Sequence, residues 1–260
     1  MNLLLTNISL FNNDLSSLPN RKLLINTINA HSYNIAQEDQ VYTNALQRSD
    51  VLLPDGVSVI LAKRLLNSVN IKKIAGADLF FYEMERLNKL GGKCFFLGSS
   101  NETLKRITNR AKILYPRLTI KSYSPPYVAS FSEEDNKRML QEINSFKPDV
   151  LFVGMTAPKQ EKWAYQNFDQ LDAGHVCNIG AVFDFFAGNV KRAPNWIIKL
   201  GFEWLYRLYK EPRRLWRRYI FGNAVFVYFI IREKLMLLRK GRKVARNDNN
   251  SSKNERVIAK

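Results

Sequence analysis

Short, largely apolar runs recur along the first 190 residues, at 23–28 (LLINTI), 51–53, 94–97 (CFFL), 118–122, 150–153 (VLFV) and 176–179. Each gives way to a polar or glycine-containing turn, and segments with helical spacing follow, as at 100–114, 132–146 and 159–168. Runs that stay apolar instead of alternating suit strands covered on both faces. The pattern predicts an α/β fold: a Rossmann-like, mostly parallel sheet with helices on both faces. Ligands in such sheets bind outside the carboxyl ends of the strands, so the residues just after each strand are where chemistry is to be sought.

After 23–28 comes Asn29-Ala30-His31-Ser32, and Thr27 points to the same side of an extended chain as Asn29. After 51–53 comes Pro54-Asp55-Gly56, then a helical segment over 57–66. Asp55 fits two roles there, the N-cap of that helix or a carboxylate held beside a ligand. Gly98-Ser99-Ser100 opens the next helix and offers backbone N–H groups to a phosphate or ribose. Gly154-Met155-Thr156-Ala157-Pro158-Lys159-Gln160-Glu161 follows the fifth run and Gly180 to Gly188 the sixth, with Asp184 inside it. Polar groups thus gather at one edge of the predicted sheet.

Charge divides the chain. Residues 191–246 carry 16 Lys+Arg against 3 Asp+Glu, whereas residues 1–190 carry 21 against 18, within a net charge of +17. The basic stretch is interleaved with Trp, Tyr and Phe, and residues 219–231 (YIFGNAVFVYFII) hold no charge. A nucleic-acid-binding tail has no use for that apolar run, and a bilayer span takes about 20 apolar residues. We therefore expect a helical membrane-binding appendage at 195–245 after an α/β domain at 1–194, with a disordered tail at 246–260. Removing residues 195–260 is expected to leave a soluble, poorly active core. In one helix Arg207, Lys210, Arg214 and Arg217 would form a cationic stripe opposite Trp196, Leu200, Trp204 and Leu208, even with Pro212 kinking it. The exposed apolar surface leaves homo-oligomerisation open beside the membrane, and nucleic acid is not an expected partner.

Cys94 and Cys177 lie in apolar runs without metal-ligand spacing and read as buried free thiols. His31 and His175 form no metal cluster. The amino terminus lacks a basic n-region and a small-residue cleavage site, so no signal peptide is expected and the protein should stay in the cytoplasm.

PDG at 54–56, APKQEKW at 157–163, GAVFDFFAG at 180–188, KRAP at 191–194 and EWLYRLYKEPRRLWRRY at 203–219 together resemble the WecG/TagA/CpsF family of bacterial glycosyltransferases, from about residue 20 to about residue 240. The resemblance implies transfer, with inversion and without a required metal ion or cofactor, of a sugar from a UDP-linked donor onto an undecaprenyl-diphosphate-linked sugar. That reaction runs at the cytoplasmic face of the membrane, to which the enzyme would be peripheral. It implies Asp55 as the general base, Thr27 and Asn29 in the same pocket, and Gln160 reaching into it. Gly98, Ser99, Gly154, Lys159, Gly180 and Asp184 become candidates for holding the donor, and Arg207, Arg214 and Arg217 for gripping the lipid diphosphate. N-acetylmannosamine from UDP-N-acetylmannosamine is the favoured donor and N-acetylglucosamine the acceptor sugar. UDP-N-acetylmannosaminuronic acid, UDP-glucose and UDP-glucuronic acid are alternatives within the class, and a non-catalytic membrane scaffold is the alternative outside it. One departure stands out: relatives commonly read Gly-x-Gly or Gly-x-Ser where this chain has Gly154-Met155-Thr156.

Overall fold

The computed structural model describes residues 3–191 and 193–239. Two short 3-10 turns, Leu5–Asn7 and Leu15–Ser17, precede β1 (Leu23–Ile28). Next come α1 (Ala30–Glu38), α2 (Gln40–Gln47), β2 (Val51–Pro54), α3 (Val57–Asn67) and α4 (Gly76–Leu90). The chain continues through β3 (Lys93–Gly98), α5 (Asn101–Leu114), β4 (Thr119–Tyr123), α6 (Glu133–Phe146), β5 (Val150–Gly154), α7 (Lys159–Asn167), β6 (His175–Asn178) and α8 (Val182–Ala187). Three short helices follow, α9 (Asn195–Lys199), α10 (Glu203–Lys210) and α11 (Pro212–Trp216). A π-helical turn, Arg217–Phe221, then leads into a long helix, α12 (222–239).

All six strands pair in parallel, in the order β2-β1-β6-β5-β3-β4. They fall where the apolar runs predicted them, and the doubly covered parallel sheet is observed. Both capping and packing set the helices. Ser100 accepts from the Thr103 amide to start α5, and Ser132 and Asp135 form a reciprocal capping box at the head of α6. Against one face of the sheet, Phe80 meets Phe152 at 5.0 Å and Phe186 at 4.8 Å, while Phe96 stacks on Phe152 at 5.6 Å. Each such ring, fully buried, stabilises the fold by roughly 1.5–3 kcal/mol. A Cβ on Gly154 would lie 2.2 Å from the Phe183 ring, so only glycine at the end of β5 lets α8 pack down there.

The connections place the site. The chain leaves β3 through α5 outward to β4, whereas it leaves β5 through α7 back toward β6. Adjacent strands whose connections diverge open a crevice at their carboxyl ends.

The apolar run at 219–231, expected to belong to a membrane-binding appendage, is in part built into the core. Phe226 and Ile230 of α12 are buried with Tyr33, Leu3, Leu5 and Val59 in one core cluster. One turn further on, the buried Glu233 accepts hydrogen bonds from the Leu5 amide (3.0 Å), the Thr6 amide (2.7 Å), the Thr6 hydroxyl (2.6 Å) and the Tyr33 hydroxyl (3.1 Å). Deleting residues 195–260 would strip this cover from Tyr33, Leu3 and Leu5, which argues against a soluble core surviving that truncation. The other side of α12 stays exposed, with Val227, Tyr228, Ile231 and Leu235 at 50–60% accessibility. No described helix is long and apolar enough to cross a membrane. The tail expected to be disordered, 246–260, lies outside the described residues.

Candidate active site

A cleft of about 1530 Å³ opens over the carboxyl ends of the strands, and Leu200, Trp204, Arg207, Arg218 and Tyr219 of the C-terminal segment are part of its lining. It gathers side chains from most of the loops read above.

At the β1–β2 end, the Asp55 amide donates to the Ile28 carbonyl at 2.9 Å, which draws Asp55 alongside Asn29. Asp55 is half-buried and lines the cleft. It does not cap α3: Gly56 occupies the N-cap position at φ +145°, with no side-chain cap. A Cβ on Gly56 would also approach Asn29 Cβ to 3.3 Å, so glycine answers both the backbone conformation and the close packing. Thr27 and Asn29 line the same wall. Asn29 Oδ1 is committed to capping α1, accepting from the His31 and Ser32 amides at 3.0 and 3.1 Å. Asn29 therefore has its amide nitrogen to offer a ligand.

From β5, Gln160 enters the wall almost fully buried. Its Oε1 accepts from the Met155 amide at 3.1 Å and its Nε2 donates to Glu161 Oε1 at 2.8 Å. Gly180, at φ +56°, faces that amide. Glu161 is 2% exposed, and burial pushes its carboxyl up to about 7. Lys159 is turned into the neighbouring loop: its ammonium donates to the Val128 carbonyl and sits 3.6 Å over the Phe131 ring. Burial pulls its pKa below the usual lysine range.

At the divergence of β3 and β5, Ser99 lines the cleft at φ +61°, and its carbonyl accepts from the Ser124 hydroxyl at 2.7 Å. The N-terminus of α5 opens beside it. Gly98 stands one layer behind, because a Cβ there would come 2.7 Å from the Gly154 carbonyl; its role is strand contact. Gly154 and Asp184 line the cleft, with Asp184 accepting from Asn189 at 3.4 Å.

The arginines do not form the expected stripe. Arg207 lines the cleft, its guanidinium 5.4 Å over the Phe185 ring. Arg217 is exposed, 5.3 Å from the Trp216 ring, and lies outside the cleft lining. The position facing the cleft is Arg218. Spacing of three, four and three assumes one continuous α-helix. Here Glu211 leaves helical geometry at φ −133°, Pro212 restarts the chain as α11, and the π-helical turn Arg217–Phe221 shifts the phase again. The backbone of Arg214 lies in α11, and its side chain is outside the described residues. The apolar stripe through Trp196, Leu200, Trp204 and Leu208 is broken likewise, at Gly201 (φ +80°) between α9 and α10.

Comparison with known proteins decides the family. The model of the glycosyl transferase WecG/TagA/CpsF family matches residues 6–240. The chain belongs to this family.

Its relatives include the N-acetylglucosaminyldiphosphoundecaprenol N-acetyl-beta-D-mannosaminyltransferase of Bacillus subtilis (strain 168), 34% identical over 195 residues, 75% of this chain and 74% of that one. The enzyme of the same name from Staphylococcus aureus (strain MW2) is 28% identical over 212 residues, 82% of this chain and 81% of that one. This WecG/TagA/CpsF glycosyltransferase also carries site residues that the sequence did not single out. Lys73 pairs with Glu203 at 3.1 Å across the rim, joining the α3–α4 connection to α10. His31 lines the cleft near Arg218, and burial first, then the Arg218 charge, lower it to about 4. His31 stands two places after Asn29, and that nearness was the only signal for it. Nothing local separated Arg218 from its neighbour Arg217. Among the described residues no cluster of His, Cys, Asp and Glu is arranged to hold a metal ion.

Proposed function

We propose that this glycosyltransferase moves N-acetylmannosamine, with inversion, from UDP-N-acetylmannosamine onto N-acetylglucosamine linked through a diphosphate to a polyprenol. The observation that carries the reading is one cleft whose lining brings together Asp55, Arg207 and Arg218. Asp55 takes the proton of the acceptor hydroxyl as its oxygen attacks the anomeric carbon. The new C–O bond forms while the bond to the UDP oxygen breaks, and UDP leaves with the electron pair. A single displacement inverts the anomeric centre and needs one base. Ser99, Ser100 and the head of α5 receive the donor phosphates, since a helix N-terminus favours anions. Gln160, fixed through Met155 and Glu161, offers its amide to sugar hydroxyls. Arg207 and Arg218 take the acceptor diphosphate, for which the guanidinium fork is suited; the departing UDP is received at the head of α5, and no metal ion or other cofactor is part of the proposal.

The acceptor's hydrocarbon tail calls for a membrane, and we place the enzyme peripherally on its cytoplasmic face. Exposed Trp196, Phe202, Trp216 and Phe221 lie among the excess of arginine and lysine. Basic residues near an anionic surface contribute roughly 1 kcal/mol each, and each fully inserted aromatic roughly 1.5–3 kcal/mol.

The test is mass analysis of products from purified enzyme, a short-chain N-acetylglucosaminyl-diphosphoryl lipid and a panel of UDP-sugars that includes N-acetylmannosaminuronic acid, glucose and glucuronic acid. Asp55→Asn should lower kcat by about 10²–10⁴ while leaving vesicle binding intact. A wild type inert toward every donor, or an Asp55→Asn enzyme as fast as wild type, would refute the proposal.

A further inference from the structure

Glu161 stands in the first turn of α7, lines the cleft and is 2% exposed. A carboxylate so buried is costly unless a cation or several donors meet it, and a leucine in its place would carry no such cost. Neither lysine beside it supplies the cation. Lys159 donates to the Val128 carbonyl, and Lys162 pairs with Asp39 at 2.8 Å. On α2, which packs against α7, the buried Tyr42 hydroxyl brings no positive charge; burial, and after it the Glu161 charge, hold its proton more tightly. Glu161 Oε2 is buried with no hydrogen-bond partner among the described residues. Its Oε1 has one, Gln160 Nε2 at 2.8 Å. An acid kept in a cleft wall at that cost points to the site rather than to the fold.

Gln160 itself is 3% exposed and is held at both ends of its amide. The Met155 amide donates to its Oε1 at 3.1 Å, and its Nε2 donates to Glu161. An amide has two N–H groups and two carbonyl lone pairs, so one of each is left for a ligand. Met155 alone would leave the amide plane free to turn about the bond to Oε1, and the second bond removes that freedom. A methyl group on Gly180 would lie 3.6 Å from Nε2 and 3.9 Å from Oε1, against both, so the glycine keeps that side of the amide uncovered. We infer that Glu161 is a positioning residue for the transfer: its carboxyl fixes the plane of the Gln160 amide, which then meets the sugar in a single orientation. The inference rests on the proposed use of Gln160 on sugar hydroxyls and adds the group on which that use depends. Ionised, Glu161 is the stronger acceptor for Nε2, so its charge sets how tightly Gln160 is held. Burial pushes that carboxyl up to about 7.

Two readouts on the full-length enzyme test this. The first is independent of turnover. In protein carrying isotope-labelled glutamine, the side-chain amide signal that Gln160→Ala removes should titrate with a midpoint of about 7, and should stop titrating in Glu161→Gln. The neighbouring Tyr42 hydroxyl is raised and the Asp39 carboxyl lowered, so they titrate on either side of that range. The second readout is a double-mutant cycle in transfer. Glu161→Leu should lower kcat/KM by about 10- to 100-fold, the worth of a charge-assisted bond. Glu161→Gln keeps an acceptor and should recover most of that loss. In a Gln160→Ala background, Glu161→Leu should cost less than about twofold more, since a group that acts through Gln160 has nothing left to act on. A Gln160 signal indifferent to pH and to Glu161→Gln, or a Glu161→Leu enzyme as fast as wild type, overturns the inference. A Glu161→Leu loss kept in full in the Gln160→Ala background marks a structural role and equally overturns it. A wild type that transfers nothing, with the Gln160 signal still following Glu161, counts against the proposed reaction and not against the coupling of the two side chains.

Discussion

Replacing Glu233 with alanine should cost about 3–5 kcal/mol of stability. Four donors converge on this carboxylate: the Leu5 and Thr6 amides, the Thr6 hydroxyl and the Tyr33 hydroxyl, at 2.6–3.1 Å. Thr6 is half-buried, so water replaces its lost partner at small cost. Leu5 is 0% exposed, and its amide would stay buried and unmet at about 1–3 kcal/mol, whereas the Tyr33 hydroxyl keeps the Leu3 carbonyl, 3.2 Å away, as an acceptor. The vacated volume beneath α12 adds to that sum, which matches the usual cost of removing one partner from a buried charged network, roughly 3–5 kcal/mol. Tyr33 already registers the arrangement, since burial and then the Glu233 charge push its hydroxyl pKa up. Urea denaturation followed by circular dichroism would measure the loss. With a slope of about 3 kcal/mol per M, the midpoint should fall by about 1–1.7 M. Tyr33→Phe alone should cost about 1 kcal/mol, and the double variant should cost less than the two losses added together, because both delete the same bond. A Glu233→Ala loss under about 1 kcal/mol, or strict additivity, would refute the claim that α12 is locked to the amino terminus through this carboxylate.

Two further outcomes follow from the site. Arg218→Ala should raise the KM for the lipid-linked acceptor by about 10- to 100-fold, the worth of a charge-assisted bond, while Arg217→Ala stays within about threefold; equal effects would show that the π-helical turn does not select between them. Stability should also carry a pH dependence from His31, whose pKa falls from an unfolded value near 6.5 to about 4 in the fold. Between those values the unfolded chain takes up a proton that the folded one refuses, so this contribution is fully present above pH 6.5 and is lost as pH falls toward 4. Comparing urea midpoints at pH 7.5 and 5.0, His31→Asn should lose less than wild type on acidification. Parallel losses would remove the assignment. Glu161, pushed up to about 7, acts in the opposite direction over much of the same range, which is why the single-site comparison is needed.

The sheet was legible because its signal is local: an apolar run such as 150–153 announces a doubly covered strand whatever surrounds it. The loops were legible for the same reason, since topology sends every residue after a parallel strand to one edge; Thr27, Asn29, Asp55, Gln160 and Gly180 all reach the cleft. What residue spacing misjudged was commitment and phase. Asn29 and Lys159 line the cleft, yet each spends part of its bonding capacity on structure, one as a helix cap and the other on the Val128 carbonyl. Gly98 answers a steric demand from Gly154 that only the paired strands reveal. The arginines failed as a stripe because a periodic argument holds only while one helix continues. The inward packing of α12 was hidden by composition: both its faces are apolar, so a run without charge gave no hint that Phe226 and Ile230 face inward, and the informative residue was the acidic Glu233 just beyond it.

The fold's C-terminal anchor and its active site are mechanically one arrangement. Arg218 sits in a π-helical turn, an unfavourable geometry that persists only if both flanks are held. On the far flank, α12 is pinned by Glu233 to Leu5 and Thr6, by Asn34 to the Gly222 carbonyl at 2.7 Å, and by Lys234 to α3. On the near flank, Leu215 is 2% exposed and Glu203 is tied to Lys73. Arg218 is therefore aimed at the cleft by contacts that touch no substrate. The proposed base needs less support, because Asp55 follows directly from β2 and is fixed by a backbone bond to the neighbouring strand. One half of the proposed chemistry thus rests on the sheet itself. The other half rests on a C-terminal segment that Glu233 ties to the amino terminus at Leu5 and Thr6.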